Sequence, residues 1–556
     1  MSEDGKMVNV TLPGGEVRQV PLGTKVLDVA NTLTPEDERY PFLAAKVTNK
    51  LHSLNYQLTR DCDLEFLTYR EREGVGVYRR SLCAILATAI SEMRTNTRLV
   101  VMHSIGNAYY YDYYTDVWVN EKLLAQIENK MREIVEKDMP IERKVLTVPD
   151  AIEFFEDLGQ MDKVRLLKST ELEKVAVYTC GKFTDIGHGP LVPSTGIIQQ
   201  FQLKPYHNGF ILMFPEQHDM QMHYKVKSHR RLFKVYHEAK KWGKILAVNN
   251  VGRFNESLET ERPSELIAVA EALHEKKIAR IADEIAQRPS VRLILIAGPS
   301  SSGKTTFAKR LSLQLRASGL RPVALSLDDY FVNREDNPKD EDGNYDFECL
   351  EALDVKLFNK HLPTLLAGKE VLIPKFNFQT GCRNDNGHVL NLDDDQLLIV
   401  EGIHGLNEKL TYSVPAHQKI KIYISPLTQL SIDDYNRIPT TDARLLRRMV
   451  RDQKYRGHSA RETLDLWIRV RRGEEKNIFP FQDEADLMFN SALTYELAIL
   501  KPFAYPLLKE IPRTDPMYNE ARRLMRFLAY LKSLPTDDVP RTSILREFIG
   551  GSFFHY

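Results

Sequence analysis

The chain has 556 residues, 43% of them hydrophobic and 27% charged, with Lys plus Arg and Asp plus Glu at 76 each. That composition excludes a mostly disordered, fibrous or collagen-like chain and allows about three to five domains at ~100–200 residues apiece. A net charge of zero advertises neither a nucleic acid nor a membrane, so any such partner has to be argued from a local patch.

Cys62, Cys83, Cys180, Cys349 and Cys382 are scattered without CxxC pairing, which argues against a disulfide framework or a structural zinc site. The acidic start has no apolar run behind it, and the longest apolar stretch, residues 82–90, is far short of the ~20 residues that span a bilayer. A soluble cytoplasmic protein with no membrane partner is expected.

In chain order, Val8, Val10 and Leu12 alternate, Pro13-Gly14-Gly15 turns, and Val17 and Val20 resume, which is a hairpin signal. Thr24 caps a short helix carrying Val26, Leu27 and Val29, and Leu64-Glu65-Phe66-Leu67 is strand-like. In this order residues 7–70 resemble a TGS domain, the β-grasp module of threonyl-tRNA synthetases and some GTPases. A generic small α/β domain is the plainer reading.

Next come a helical region at 78–93, an aromatic strand at 109–114 and a turn-rich segment at 185–196. Residues 75–235 resemble the α+β editing domain of threonyl-tRNA synthetases, where misacylated tRNA is hydrolysed. That family's two helix histidines and its loop Cys and His fall here at Arg80, Ala84, Gly187 and Leu191. Ala, Gly and Leu supply neither a metal ligand nor a general base, and Arg stays protonated. The resemblance therefore implies a scaffold without the editing chemistry. His188, a lone loop histidine, is read as a hydrogen-bonding surface residue, and His207, His218, His223, His229 and His237 place no i, i+4 pair on one helix.

Residues 225–244 carry Lys225, Lys227, Arg230, Arg231, Lys234, Lys240, Lys241 and Lys244 against Glu238, with Phe233, Tyr236 and Trp242 interleaved. Either an RNA-contacting helix or a solvated face with inward aromatics fits that pattern. Residues 236–290 read as a helical connector, amphipathic after Pro263 and stopped at Pro289.

Residues 291–297 form a buried-strand pattern that runs into Gly298-Pro299-Ser300-Ser301-Ser302-Gly303-Lys304-Thr305, and a helix follows from Thr306. This is GxxxxGK[ST] in its strand–loop–helix context. The glycines let backbone N–H groups turn toward a phosphate, and the helix dipole favours the anion. Lys304 reaches the β/γ-phosphates and Thr305 ligates Mg²⁺. Gly298, Ser300, Ser301, Ser302, Gly303, Lys304, Thr305 and Thr306 are thus the expected nucleotide-binding residues.

A second strand, 322–327, ends at Asp328-Asp329-Tyr330, and a third, 397–400, ends at Glu401. A carboxylate there suits a Mg²⁺–water shell beside the phosphates. A fourth strand, 419–425, precedes Arg444, Arg447, Arg448, Arg451, Arg456 and Arg461. These are read as a solvated face or, beside a P-loop, as a lid that neutralises the transferring phosphoryl group.

With Ser326-Leu327-Asp328-Asp329-Tyr330, Val400-Glu401-Gly402-Ile403, the 442–452 arginine run and Ala485-Asp486-Leu487-Met488-Phe489-Asn490, the P-loop resembles the uridine kinase and phosphoribulokinase family. The match spans about 291–492, and the order of the whole chain is similar to bacterial uridine-kinase-related proteins with a TGS domain in front. It implies an α/β fold, a parallel P-loop sheet flanked by helices over 291–500, followed by a helical extension over 501–556 whose Phe548, Ile549, Phe553 and Phe554 suggest docking. The resemblance also implies Asp328 as catalytic carboxylate, with Asp329 as the alternative, and Lys304, Arg444 and Arg448 beside it. Thr305 and Glu401 would hold Mg²⁺, Asp346 the ribose hydroxyls, and Phe376 and Arg383 would flank the base. Where pyrimidine ribonucleoside kinases place a Tyr and a His, Phe376 and Gly381 stand, so the base is left open.

The expected function is ATP- and Mg²⁺-dependent phosphorylation of a nucleoside 5′-hydroxyl. A phosphoribulokinase-like kinase would need extra basic residues around its acceptor, and 335–351 is acidic instead. In the third reading, an RNA- or ribosome-associated regulatory ATPase, the front half binds RNA and the P-loop acts as a switch. Asp328 and Asp346 speak against a pure switch. Oligomeric state, including a homo-oligomer, is left open.

Overall fold

The computed structural model describes residues 6–93, 97–217, 219–222, 229–260, 262–340, 343–377, 380–428 and 430–555. His218, His223, Lys225 and Lys227 lie outside them.

The front of the chain is a five-stranded sheet with Met7–Thr11 between Val17–Pro21 and Cys62–Leu67, followed by Ala44–Val47 and Lys50–His52. The hairpin turns where Gly14 and Gly15 take φ of +92° and +88°, a region open to glycine without a Cβ penalty. Val8, Val10 and Leu12 all point into a core shared with Val26 and Val29 of the short helix Val26–Ala30. The period-two alternation is what buries one face of this strand.

The second region wraps the long helix Arg72–Met93 against the sheet Gln202–Tyr206, Gly209–Met213, Ala108–Tyr114, Arg98–Ile105. Val75, Tyr78, Leu82, Ile85, Leu86 and Ala89 recur at helical spacing and are buried. A three-stranded sheet, Phe183–Ile186, Lys174–Cys180 and Ile141–Thr147, completes it. The helix Arg230–Ile245 runs through the expected boundary at 235/236. Leu232, Val235, Tyr236 and Ala239 on it are buried, Tyr236 stacks on His103 at 3.4 Å and Phe233 on His207 at 3.7 Å. The aromatics interleaved with its cations therefore face protein.

Five parallel strands form the fourth sheet, in the order Arg321–Ser326, Gln396–Glu401, Leu293–Ala297, Lys419–Ser425, Leu487–Asn490. Every residue of Leu293–Ala297 is buried, because helices cover both faces of a parallel sheet. Ile294 and Ile296 pack with Phe307, Leu311 and Phe548 on one face, Leu293 and Leu295 with Phe358 and Leu362 on the other. The helix Glu496–Lys509 crosses the expected boundary at 500/501, so the extension grows out of this layer without a linker. Phe548 and Ile549 are buried, whereas Phe553 is 59% exposed with its N–H donating to Arg541 O at 2.8 Å.

One hydrophobic cluster joins front and back, uniting Phe155 and Leu167 with Val251, Leu446, Trp467 and Leu528. Polar clamps reinforce it, Arg98 gripping Asp434 at 2.5 and 2.6 Å and Arg523 gripping Asp442 at 2.6 and 2.8 Å. No helix among the described residues is long and apolar enough to cross a membrane.

Arg447 is fully buried and paired with Glu496, itself buried. Removing one partner of such a pair strands a charge in low dielectric. Glu496→Ala is expected to destabilise the protein by about 3–5 kcal/mol, read as a lower midpoint in urea unfolding; a shift within the scatter of surface variants would contradict the burial.

Candidate active site

The loop after Leu293–Ala297 is tight for steric reasons. A Cβ on Gly298 would lie 2.0 Å from the Ile424 carbonyl oxygen, and Gly303 has φ +84° where the loop enters the helix Lys304–Ala317. Ser301 also takes a left-handed conformation, at φ +59°. Lys304 Nζ folds back to donate to Gly298 O at 3.0 Å and Pro299 O at 3.3 Å. Among the described residues the buried Ser301 and Ser302 hydroxyls have no hydrogen-bond partner. Thr306 at the start of the helix donates through both its N–H and its hydroxyl to Glu547 Oε2, at 3.3 and 2.7 Å.

Around Lys304 the charges converge. Thr305 Oγ1 donates to Glu401 Oε1 at 3.0 Å. Burial pushes the Glu401 carboxyl up to about 7, with Lys304 opposing and Asp328 adding to the rise. Burial also holds the Lys304 ammonium below its ordinary value, while Glu401, Asp328 and Glu547 favour its charged form. The two neighbouring aspartates part company. Asp329 is buried and ion-paired to Lys375 at 3.1 Å, whereas Asp328 is exposed. Protein packed around its carboxyl raises the Asp328 pKa, Lys304 acts against that rise, and Asp329 adds to it. The Ser326 hydroxyl accepts from Asp328 N at 3.2 Å and fixes the backbone there.

The arginine run lies on the helix Thr440–Tyr455. Arg444 and Arg447 are enclosed rather than presented as a mobile lid: Arg444 pairs with Glu474 and donates to Ser300 O at 2.9 Å, and Arg447 donates to Ser491 O at 2.8 Å. They brace the P-loop from outside. Arg448 reaches the loop through Ser300 Oγ at 3.0 Å and is anchored by Asp452 at 3.1 Å. Arg451 pairs with Glu547 at 3.4 Å.

On the acceptor side, Phe376 and Arg383 are cross-strand partners in the hairpin Val371–Asn377, Cys382–Leu390. Phe376 lies 5.5 Å from the Phe331 ring. Arg383 is held by Asp354 at 3.0 Å and Asp385 at 2.8 Å. Gly381 is a turn residue with φ +72°, and a Cβ there would meet Arg334 Nε at 2.7 Å, so the position has no room for a base-reading side chain. Asp346 Oδ1 accepts from Glu348 N at 3.0 Å.

Three carboxylates and a histidine went unnoticed in the sequence. Glu474 Oε1 accepts from the P-loop amide Ser300 N at 3.0 Å. Burial lifts Glu348 to about 7, Glu474 adding to the rise and Arg448 and Lys304 opposing it. Glu547 caps the P-loop helix from the far end of the chain. His404 is buried and held down to about 4 by burial, with Glu351 and Asp346 nearby. None sits in a recognisable motif, and only the three-dimensional fold delivers them.

In the front half, Arg80, Ala84, Gly187 and Leu191 do meet, on one cavity of about 210 Å³. Its opposite wall comes from residues 432–442 and the helix Tyr518–Leu528. Contrary to the expectation of a surface residue, the His188 side chain is only 14% exposed, lines the same cavity and packs edge-on against Tyr530, because the chain's C-terminal region covers it; His229 Nδ1 lies 2.7 Å from Asp483 Oδ2.

The N-terminal half matches threonine–tRNA ligases. That of Francisella philomiragia is 34% identical over 198 residues, and that of Francisella tularensis is 32% identical over 197. Each match covers 35% of this chain and 31% of the ligase, so the chain spans about a third of the length of these curated relatives. Among solved structures, D-glycerate 3-kinase from Cryptococcus neoformans is 14% identical with a TM-score of 0.20, over 48% of this chain and 89% of that one. The P-loop half, residues 293–498, matches the sequence model of the Phosphoribulokinase / Uridine kinase family.

Proposed function

We propose that the protein is an ATP-dependent kinase for a small-molecule hydroxyl, with a nucleoside 5′-hydroxyl as the preferred acceptor. The observation that carries the reading is the division of labour between the aspartates: Lys375 engages Asp329, which leaves Asp328 open beside Lys304. A nucleotide switch needs no such carboxylate, whereas phosphoryl transfer needs a proton acceptor for the attacking hydroxyl. The family match over 293–498 supports the same class of chemistry.

In this mechanism the P-loop amides and Lys304 hold the ATP phosphates, and Asp328 takes the proton of the acceptor hydroxyl as the γ-phosphoryl group arrives in line. The raised Asp328 pKa makes it a better proton acceptor than an aspartate at its ordinary value. Arg448 stabilises charge on the transferring group, a role its hydrogen bond to Ser300 Oγ supports, while Arg444 and Arg447 keep the loop in shape. Mg²⁺ fits the Thr305 hydroxyl and Glu401 carboxylate, a hard oxygen pair of the kind it takes alongside substrate phosphates. When bound, it supplies charge neutralisation at the phosphates. Asp346 and the Phe376–Arg383 hairpin pair are the candidates for holding the acceptor.

Mass spectrometry of products from ATP·Mg²⁺ with nucleosides and sugar phosphates tests the reading. The wild type is expected to form a nucleoside 5′-monophosphate, and Asp328→Asn to lose about 10²–10⁴-fold in rate with nucleotide affinity retained. A phosphorylated sugar phosphate would shift the assignment to the phosphoribulokinase-like reading. No product, with ATP hydrolysis stimulated by RNA, would replace it with the regulatory ATPase.

Glu401 gives a pH prediction. A carboxyl whose folded pKa of about 7 lies above the ordinary 4.5 binds its proton more tightly when folded, so it costs stability as pH rises through that window. Glu401→Gln removes the penalty. Its melting temperature is expected to exceed the wild type at pH 8 and to match it at pH 4, by differential scanning fluorimetry without nucleotide. With ATP·Mg²⁺ at pH 8 the order reverses, because the variant lacks the metal-binding carboxylate.

A further inference from the structure

The cavity of about 210 Å³ that gathers Arg80, Ala84, Gly187 and Leu191 has an unbalanced charge. Both acids on its lining are already engaged, Asp185 by Lys163 at 3.2 Å, which Asp162 shares at 4.0 Å, and Asp442 by the two-pronged grip of Arg523, which Glu520 shares at 2.8 Å. Arg80, Arg437 and Arg526 remain, and among the described residues none has a carboxylate within 4 Å. Their hydrogen bonds go to neutral oxygens, and Arg437 also lies over the Tyr109 ring at 5.1 Å. Arg80 Nε and Nη2 donate to Pro190 O at 3.3 and 3.1 Å, Arg437 Nη2 to Ser104 Oγ at 3.4 Å, and Arg526 Nη2 to Gly187 O at 3.2 Å. Among the described residues the buried Arg437 Nε has no hydrogen-bond partner. Guanidinium groups enclosed by protein are ordinarily matched by anions, and their planar fork suits carboxylates and phosphates.

The surroundings point to the same ligand. The cavity shares Tyr178, Gly187, Gly189 and Arg526 with a larger open cleft of about 690 Å³ lined also by Lys50, Arg143 and Arg522. Burial, with Arg522, Arg513 and Arg143 close by, holds the Lys50 ammonium down to about 8. An anion approaching through this cleft meets a rising positive field. Inside, Ala84, Leu191, Ile432 and Phe527 offer apolar wall to an organic body. Burial holds the Arg80 guanidinium down to about 10, with Arg523 contributing, and a bound anion would relieve that cost.

We propose that this cavity binds a small organic oxyanion, a carboxylate or phosphomonoester on an apolar or aromatic body, and that its occupancy is transmitted to the P-loop through the helix Thr440–Tyr455. The route is short. Arg523 and Asp442 both line the cavity, and Asp442 lies in the first turn of that helix. Two and six residues on, Arg444 and Arg448 hold Ser300 O and Ser300 Oγ. A ligand that shifts the Arg523–Asp442 clamp therefore shifts the groups that shape the loop. The binding half stands without the kinase reading, since it rests on the front cavity alone.

Calorimetric titration of the full chain with benzoate and with phenyl phosphate tests it, the two arms separating carboxylate from phosphomonoester. Expected is saturable one-to-one binding of at least one probe, weakened tenfold or more by Arg80→Met and by Arg437→Met and unaffected by Lys304→Ala. Using both arginine variants guards against a folding defect in either, checked by circular dichroism. No binding to the wild type, wild-type affinity in either folded arginine variant, or loss in Lys304→Ala overturns the site. Hydrogen exchange across 440–455 tests the coupling: slower exchange with probe bound supports it, and unchanged exchange at saturation overturns it.

Discussion

The geometry of the P-loop depends on buried guanidinium groups that reach it from behind. Arg444 ties Ser300 O to Glu474, and Glu474 in turn accepts from Ser300 N, so one loop residue is gripped at both its carbonyl and its amide. Arg447 performs a similar service between Ser491 and Glu496. Desolvating two such pairs is costly, and the cost is offset only while every partner is in place. That makes the brace all-or-none. The loop is therefore presented in a single conformation, which suits a site whose task is to position phosphates.

Around this brace the two halves of the molecule are not independent. The apolar cluster that includes Leu446 and Trp467 of the P-loop half also takes in Phe155 and Leu167 of the front half. Arg98, on a front strand, grips Asp434 a few residues before the arginine helix begins. A protein whose front half merely tethered the P-loop half would need no shared core. Here the front half forms one wall of the layer that supports the loop.

Local signals in the sequence were legible and distant ones were not. The P-loop could be read because strand, glycines and helix are contiguous, and the alternation at Val8, Val10 and Leu12 revealed its strand for the same reason. The arginine run was visible too, but which way each guanidinium turns is fixed by Glu474, Glu496, Asp452 and Glu547, at separations up to 96 residues for Glu547 and Arg451. Which of Asp328 and Asp329 is ion-paired could not be read from the sequence, because the partner, Lys375, comes from a strand of another sheet. Gly381 read as a missing base contact, whereas its positive φ makes it a turn that any side chain would strain. Glu348 was hidden for a simpler reason: it sits in an acidic stretch, and nothing local shows which acid the fold buries.

Glu547 closes the P-loop helix from 241 residues downstream of Thr306. On a ribosome the loop sequence emerges long before its cap, by on the order of ten to fifty seconds at the usual rate of synthesis. During that interval Thr306 has no Glu547 to bond and Arg451 no acid to pair with at that end of its helix. The nascent chain thus carries an unfinished phosphate loop throughout that interval. The nucleotide site is among the last parts of the molecule to be assembled, and it takes shape once the tail has emerged and docked.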